Sequence, residues 1–167
     1  MQNEKLRYQP NKKSQLFIML AMVLMVIALF LVINVFRFSI NEVPERFIAP
    51  NIFLGIEILV AIFAMLLSFL LGEKFKTYDE AWLKVGVGLT IYPLIKIFLY
   101  PISLFNRMKQ IISLGYPLKQ DPLIWFISVL VLLILSSTFY FIGTFINYQK
   151  VKALKEYYKE VGIDDAK

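Results

Sequence analysis

The sequence predicts an all-α fold: a polytopic transmembrane helical bundle of four spans, with both termini in the cytoplasm. Three observations predict it. Of 167 residues, 59% are hydrophobic and only 18% are charged, whereas a soluble domain is near half apolar and about a quarter charged. The charges gather in a few short stretches. Between them lie four apolar runs, each long enough to cross a hydrocarbon core of about 30 Å, which takes roughly 20 helical residues.

The spans are 16–36, 52–71, 85–105 and 123–146. The first and fourth contain no charge, the second contains Glu57, and the third contains Lys96 with Pro93 and Pro101. Two prolines and a lysine leave a re-entrant or interfacial segment as the competing reading for the third. The first run exceeds the ~7–15 apolar residues of a cleaved signal and is followed by no small-x-small site, so it is expected to remain as a signal anchor. The chain thus divides into a cytoplasmic tail, 1–15, a membrane domain, 16–146, and a cytoplasmic tail, 147–167.

Orientation follows from the basic residues. Lys5, Arg7, Lys12 and Lys13, then Lys74 and Lys76, then Lys150, Lys152, Lys155, Lys159 and Lys167 make eleven on one side. Arg37, Arg46, Arg107, Lys109 and Lys119 make five on the other. The positive-inside bias places the richer side, with both termini, in the cytoplasm. Trp82 and Trp125 each fall near a span end, where the amphipathic indole ring is favoured. Topology, and no nucleic-acid surface, accounts for the net charge of +6.

Beyond the fourth span the chain is expected to stay helical. Val151, Leu154, Tyr158 and Val161 recur at helical spacing, with Lys152 and Glu156 as an i,i+4 pair. Gly162 offers a stop before Asp164 and Asp165. Close helix approach is available at Ala64 and Ser68, and at Ser136 and Gly143, seven residues apart on one face.

Histidine and cysteine are absent. Histidine-based phosphatases, Ser–His proteases, soft-metal sites, disulfides and palmitoylation are thereby excluded. No phosphate-cradling G-x-x-x-x-G-K-[ST] loop occurs. An enzyme, a cofactor and a metal are not expected.

Glu57 and Lys96 are the informative pair. Helix rise puts Glu57 about 8 Å, and Lys96 roughly 13 Å, below the outer ends of their spans. An unpaired charge there costs at least ~2.5–3.5 kcal/mol, so pairing is the expected solution. Such a pair staples two helices, couples a proton or ion to transport, or contacts a partner subunit. Gly88, Tyr92, Lys96 and Tyr100 form an i,i+4 row, and Pro93 frees a carbonyl one turn earlier. A polar, bent seam facing protein is expected.

The stretch Gly72-Glu73-Lys74-Phe75-Lys76-Thr77-Tyr78-Asp79-Glu80-Ala81-Trp82 joins the second and third spans. Thr77 with Glu80 reads as a capping box opening a short helix. Phe75 and Tyr78 here, with Tyr157 and Tyr158 in the C-terminal helix, are aromatics among charges of both signs, a composition suited to protein contact.

Two resemblances lie in this region. Glu80-Ala81-Trp82 followed by Gly86 resembles the coupling-loop motif of ABC importer permeases, Glu-Ala-Ala then Gly, with Trp82 replacing the second Ala. Thr77-Tyr78, then Val85-Gly86-Val87-Gly88-Leu89, then Pro93 resembles the signature of the Yip family of small polytopic membrane proteins, over about residues 72–101. Leu89 stands where that family has Tyr, and the family usually has five spans. This resemblance implies a non-enzymatic protein acting through partners, with no catalytic residue to carry over.

The expected function is accessory or scaffold subunit for other membrane proteins of the cytoplasmic membrane, including those of a transport system. The alternative is a small homo-oligomeric transporter or channel using Glu57 and Lys96.

Overall fold

The computed structural model describes residues 11–40, 48–113 and 122–161. Among them are four long helices: α1 (Lys12–Ile40), α2 (Ile48–Lys76), α3 (Leu83–Ser113) and α4 (Pro122–Val161), with a 3₁₀ turn at Glu80–Trp82 before α3. All four are long and apolar enough to cross a membrane. Each outruns its predicted span. α4, with 40 residues, is roughly 60 Å long, about twice the hydrocarbon thickness. α3 continues without interruption through Pro93 and Pro101.

Buried positions follow a seven-residue repeat. On α1 they are Asn11, Ser14, Ile18, Ala21, Met25, Ala28 and Val32; on α2, Glu57, Ala61, Ala64, Ser68, Leu71 and Phe75; on α3, Gly86, Leu89, Pro93, Lys96 and Tyr100. Steps of three and four alternate throughout, the period of helices that wrap around one another in a left-handed bundle. The rest of each helix is a jacket of large exposed apolar side chains such as Leu59, Phe63, Phe98 and Phe141, as expected of helices whose outer faces meet hydrocarbon rather than water.

Neighbours run antiparallel. α1 packs most extensively on α4 along a seam of small residues. Ser14 donates its hydroxyl to the Gly143 carbonyl at 2.7 Å, Ser136 donates to the Ala21 carbonyl at 2.8 Å, and Asn11 Nδ2 donates to Asn147 Oδ1 at 3.0 Å. Two of these acceptors are main-chain oxygens, reachable only where the backbones come close. Gly143 permits that approach, since a Cβ there would stand 2.9 Å from Ile18 Cδ1 and 3.2 Å from the Ser14 carbonyl oxygen. α3 rests on α4 through Gly86, where a Cβ would stand 2.6 Å from Thr144 Oγ1. Ser137 on α4 donates to the Thr90 carbonyl at 2.8 Å, a further tie between the two helices in the turn before Pro93.

α2 and α3 face each other with little close backbone approach, and large side chains fill the space between them. Tyr140, fully buried on α4, reaches across to the Ser68 hydroxyl at 2.5 Å, and Ser68 in turn donates to the Ala64 carbonyl. Ala64 and Ser68 therefore make room for a large ring, whereas Ser136 and Gly143 bring two backbones together.

The turn after α2 differs from the expected capping box. Thr77 Oγ1 donates back to the Lys74 carbonyl at 3.0 Å, while Asp79 caps the 3₁₀ turn by accepting from the Ala81 N–H at 3.1 Å. The N–H groups of Tyr78 and Asp79 bond the carbonyls of Phe75 and Lys74, the pattern of a Schellman motif. Its left-handed position normally takes glycine and here is Tyr78, at φ 61°. The helix has to end inside Thr77-Tyr78-Asp79, and that requirement outcompetes the Thr77 cap.

Candidate functional site

The two charges within the apolar runs meet across the gap between α2 and α3. Lys96 Nζ lies 2.5 Å from both carboxylate oxygens of Glu57, and the two side chains are only 8% and 7% exposed. Both residues sit in the buried repeat of their helices, Glu57 one turn before Ala61 and Lys96 between Pro93 and Tyr100. The Tyr100 hydroxyl donates to Glu57 Oε2 at 3.4 Å. The Lys96 ammonium also stands over two rings, 5.3 Å from the centre of Tyr92 and 5.7 Å from that of Tyr100.

Every strong valence of the pair is turned inward. The carboxylate accepts from Lys96 through both oxygens and from Tyr100; the ammonium spends itself on that carboxylate and two π faces. Two opposite charges matched in this way leave no net charge in an apolar interior, which is the condition for tolerating them. Tyr92, Pro93, Lys96 and Tyr100 all take part in this bundle interior. Gly88 does not: it is exposed, and a Cβ added there would meet nothing within 4 Å. An i,i+4 row turns by about 40° per step, so three steps from Tyr100 carry Gly88 about 120° away. Gly86 occupies the buried position instead.

A second constellation lies where α1 begins and α4 ends. Lys155 on α4 pairs with Glu80 of the 3₁₀ turn at 2.5 Å, and Lys150 stands over the Tyr78 ring, 5.9 Å from its centre. Burial pushes the Tyr78 hydroxyl above the usual tyrosine pKa. Gln15 Nε2 on α1 donates to Glu73 Oε1 at 2.9 Å, and the Asn11 N–H donates to the Lys76 carbonyl at 3.2 Å. These contacts tie α1, the α2–α3 turn and the α4 extension into one base. Tyr157 and Tyr158 are partly exposed on that extension, with ring centres 6.1 Å apart. Lys152 and Glu156 approach to 3.9 Å.

Phe75, expected as an exposed contact residue, is fully buried. It occupies the last step of the α2 repeat after Leu71 and packs in one cluster with Leu71, Leu89 and Tyr140. Its neighbours Glu73, Lys74 and Lys76 are charged, which made the stretch read as surface, but a helix that runs to Lys76 turns Phe75 inward. Of the four aromatics singled out, Tyr78, Tyr157 and Tyr158 remain at least partly accessible. Among the described residues, no group of carboxylates is placed to hold a metal ion.

Other participants escaped the sequence reading. Ser14, Ala21 and Ala28 on α1 repeat every seven residues, opposite Val129, Ser136 and Gly143 on α4; that spacing was the available signal. Tyr140 and Asn147 carried none, being single polar groups within a long apolar or mixed stretch. Trp125, Arg37 and Arg107 have side chains outside the described residues, as do Lys5, Arg7, Arg46, Lys119 and the 162–167 segment entirely. Compared with family models, with curated proteins and with solved structures, the chain matches none.

Proposed function

We propose that the chain is a four-span protein of the cytoplasmic membrane, both termini inside, that serves as an accessory or scaffold subunit for other membrane proteins and catalyses nothing itself. The observation that carries this reading is the α4 extension. The helix leaves the apolar bundle without a break and runs on to Val161, braced by Lys155 on Glu80 and by Lys150 over Tyr78. A helix of that length standing clear of the bilayer, fixed in direction and bearing Tyr157 and Tyr158 among charges of both signs, has the make-up of a protein-docking ledge. The saturated Glu57–Lys96 pair fits a staple between α2 and α3 better than a pathway, because a passing ion would have to break it. The resemblance to the Yip family points the same way.

The test is co-purification in mild detergent followed by mass spectrometry. Tyr157→Ala with Tyr158→Ala should leave the bundle folded and lose the co-purifying membrane proteins; Glu57→Gln with Lys96→Met should retain them. Flux of a solute or proton through the purified protein in liposomes, abolished by the buried-pair variant, would favour the homo-oligomeric transporter instead.

A further inference from the structure

A groove of about 260 Å³ runs along the seam of α3 and α4, on the outer side of the bundle, lined by Leu83, Val87, Ile91, Phe141, Phe145 and Tyr148 among others. From Leu83 to Ile91 it spans eight residues, about 12 Å of helix, close to the depth of one leaflet of hydrocarbon. Its exposed wall is almost wholly apolar, which suits a hydrocarbon chain.

Charged residues begin at the Leu83–Tyr148 end of the groove: Lys84 and Lys152, with Glu156 beside Lys152 and Glu80 held by Lys155. Lys84 follows Leu83, is exposed, and forms no ion pair among the described residues. Lys152 follows Tyr148 by one turn on the same face of α4 and meets Glu156 only at 3.9 Å. Two ammonium groups thus flank the point where an acyl chain would emerge into the headgroup layer.

We propose that this groove holds one acyl chain of an anionic phospholipid from the cytoplasmic leaflet, with the headgroup phosphate between Lys84 and Lys152. The proposal rests on the membrane reading above. The cytoplasmic leaflet is the anionic one, and lysines at its surface draw such lipids. The groove adds a seat for the chain, so the two features select a lipid together.

Quenching of tryptophan by brominated chains tests it. In a Trp82→Phe, Trp125→Phe background, Phe141→Trp reports from the groove and Phe63→Trp from the outer face of α2; the two phenylalanines are 58% and 63% exposed. Each is reconstituted in phosphatidylcholine vesicles containing a minor fraction of brominated phosphatidylglycerol or, separately, brominated phosphatidylcholine. The groove reporter should prefer the brominated anionic lipid at least about fivefold over the α2 reporter, the effect expected of a single lysine at the surface. Lys84→Gln with Lys152→Gln should remove that preference, and Val87→Phe, which fills the groove, should weaken quenching there alone. Equal quenching at both reporters would reduce the groove to bulk lipid contact and overturn the proposal. So would a shielded groove reporter beside a quenched α2 reporter, which would put protein over the groove. Lack of quenching at both would instead overturn the membrane reading itself.

Discussion

Lys96 reaches Glu57 from the facing helix and contacts both of its carboxylate oxygens at 2.5 Å, at a level where α2 and α3 make little backbone contact. The pair therefore spans a gap that smaller side chains would leave open. Its partners Tyr92 and Tyr100 flank it one turn to either side. Where α1 and α4 are joined by proximity, α2 and α3 are joined by reach.

That relationship predicts strong coupling. Glu57→Gln or Lys96→Met alone should each destabilise the protein by about 3–5 kcal/mol, because the survivor is a buried unpaired charge. The double substitution should cost less than either. Unfolding of the four proteins in one detergent supplies the double-mutant cycle; additive costs would mean that the two residues do not interact.

Phe75→Ala should unfold more easily rather than act as a surface change. Removing a fully buried phenylalanine typically costs about 3–5 kcal/mol. Tyr157→Ala, on the partly exposed extension, should change the melting temperature little. Thermal unfolding of the two side by side checks the assignment, and equal melting temperatures would put Phe75 back on the surface.

Glycines separate packed from open positions. Gly143→Leu should loosen α1 from α4 at a cost of about 1–3 kcal/mol, the usual penalty for overpacking. Its first clash is with Ile18 and the Ser14 main chain. Gly88→Ala should be neutral or stabilising by up to about 1 kcal/mol, since glycine is a poor helix former and nothing stands in the way. The reverse order of stabilities would refute the α1–α4 register.

Tyr78 holds a left-handed backbone at φ 61°. Tyr78→Val should destabilise the turn by roughly 1–2 kcal/mol, because a β-branched side chain suits that conformation worst. Tyr78→Gly should relieve the backbone while losing the ring beneath Lys150. Proteolysis of the turn in detergent reports both: Val should cut faster than Gly.

The chain lacks cysteine, so labelling of introduced thiols can read its topology cleanly. Asn41→Cys and Gly115→Cys should react with an impermeant reagent from outside the cell, and Thr77→Cys and Ala166→Cys should not. External reaction at Thr77→Cys would reverse the orientation drawn from the basic residues.

Sequence by itself determined the number and rough extent of the helices, because a run of some twenty apolar residues has few ways to satisfy its backbone other than as a helix. It also marked Glu57 and Lys96, since a lone charge in such a run stands out by its cost. It did not fix which face each helix buries. Apolar residues cover every side of α1, of α2 along its apolar run and of α4 as far as Ile146, so amphipathicity points nowhere there, and the choice falls to where small residues and hydroxyls let backbones meet. That choice put Phe75 and Gly86 inside and Gly88 outside. It matched Ser14 to Gly143 and Ser136 to Ala21, and gave Tyr140 the space beside Ser68. Only the tertiary structure decides such pairings, because they depend on how closely two helices approach, which is a property of both surfaces together and of neither strand of sequence alone.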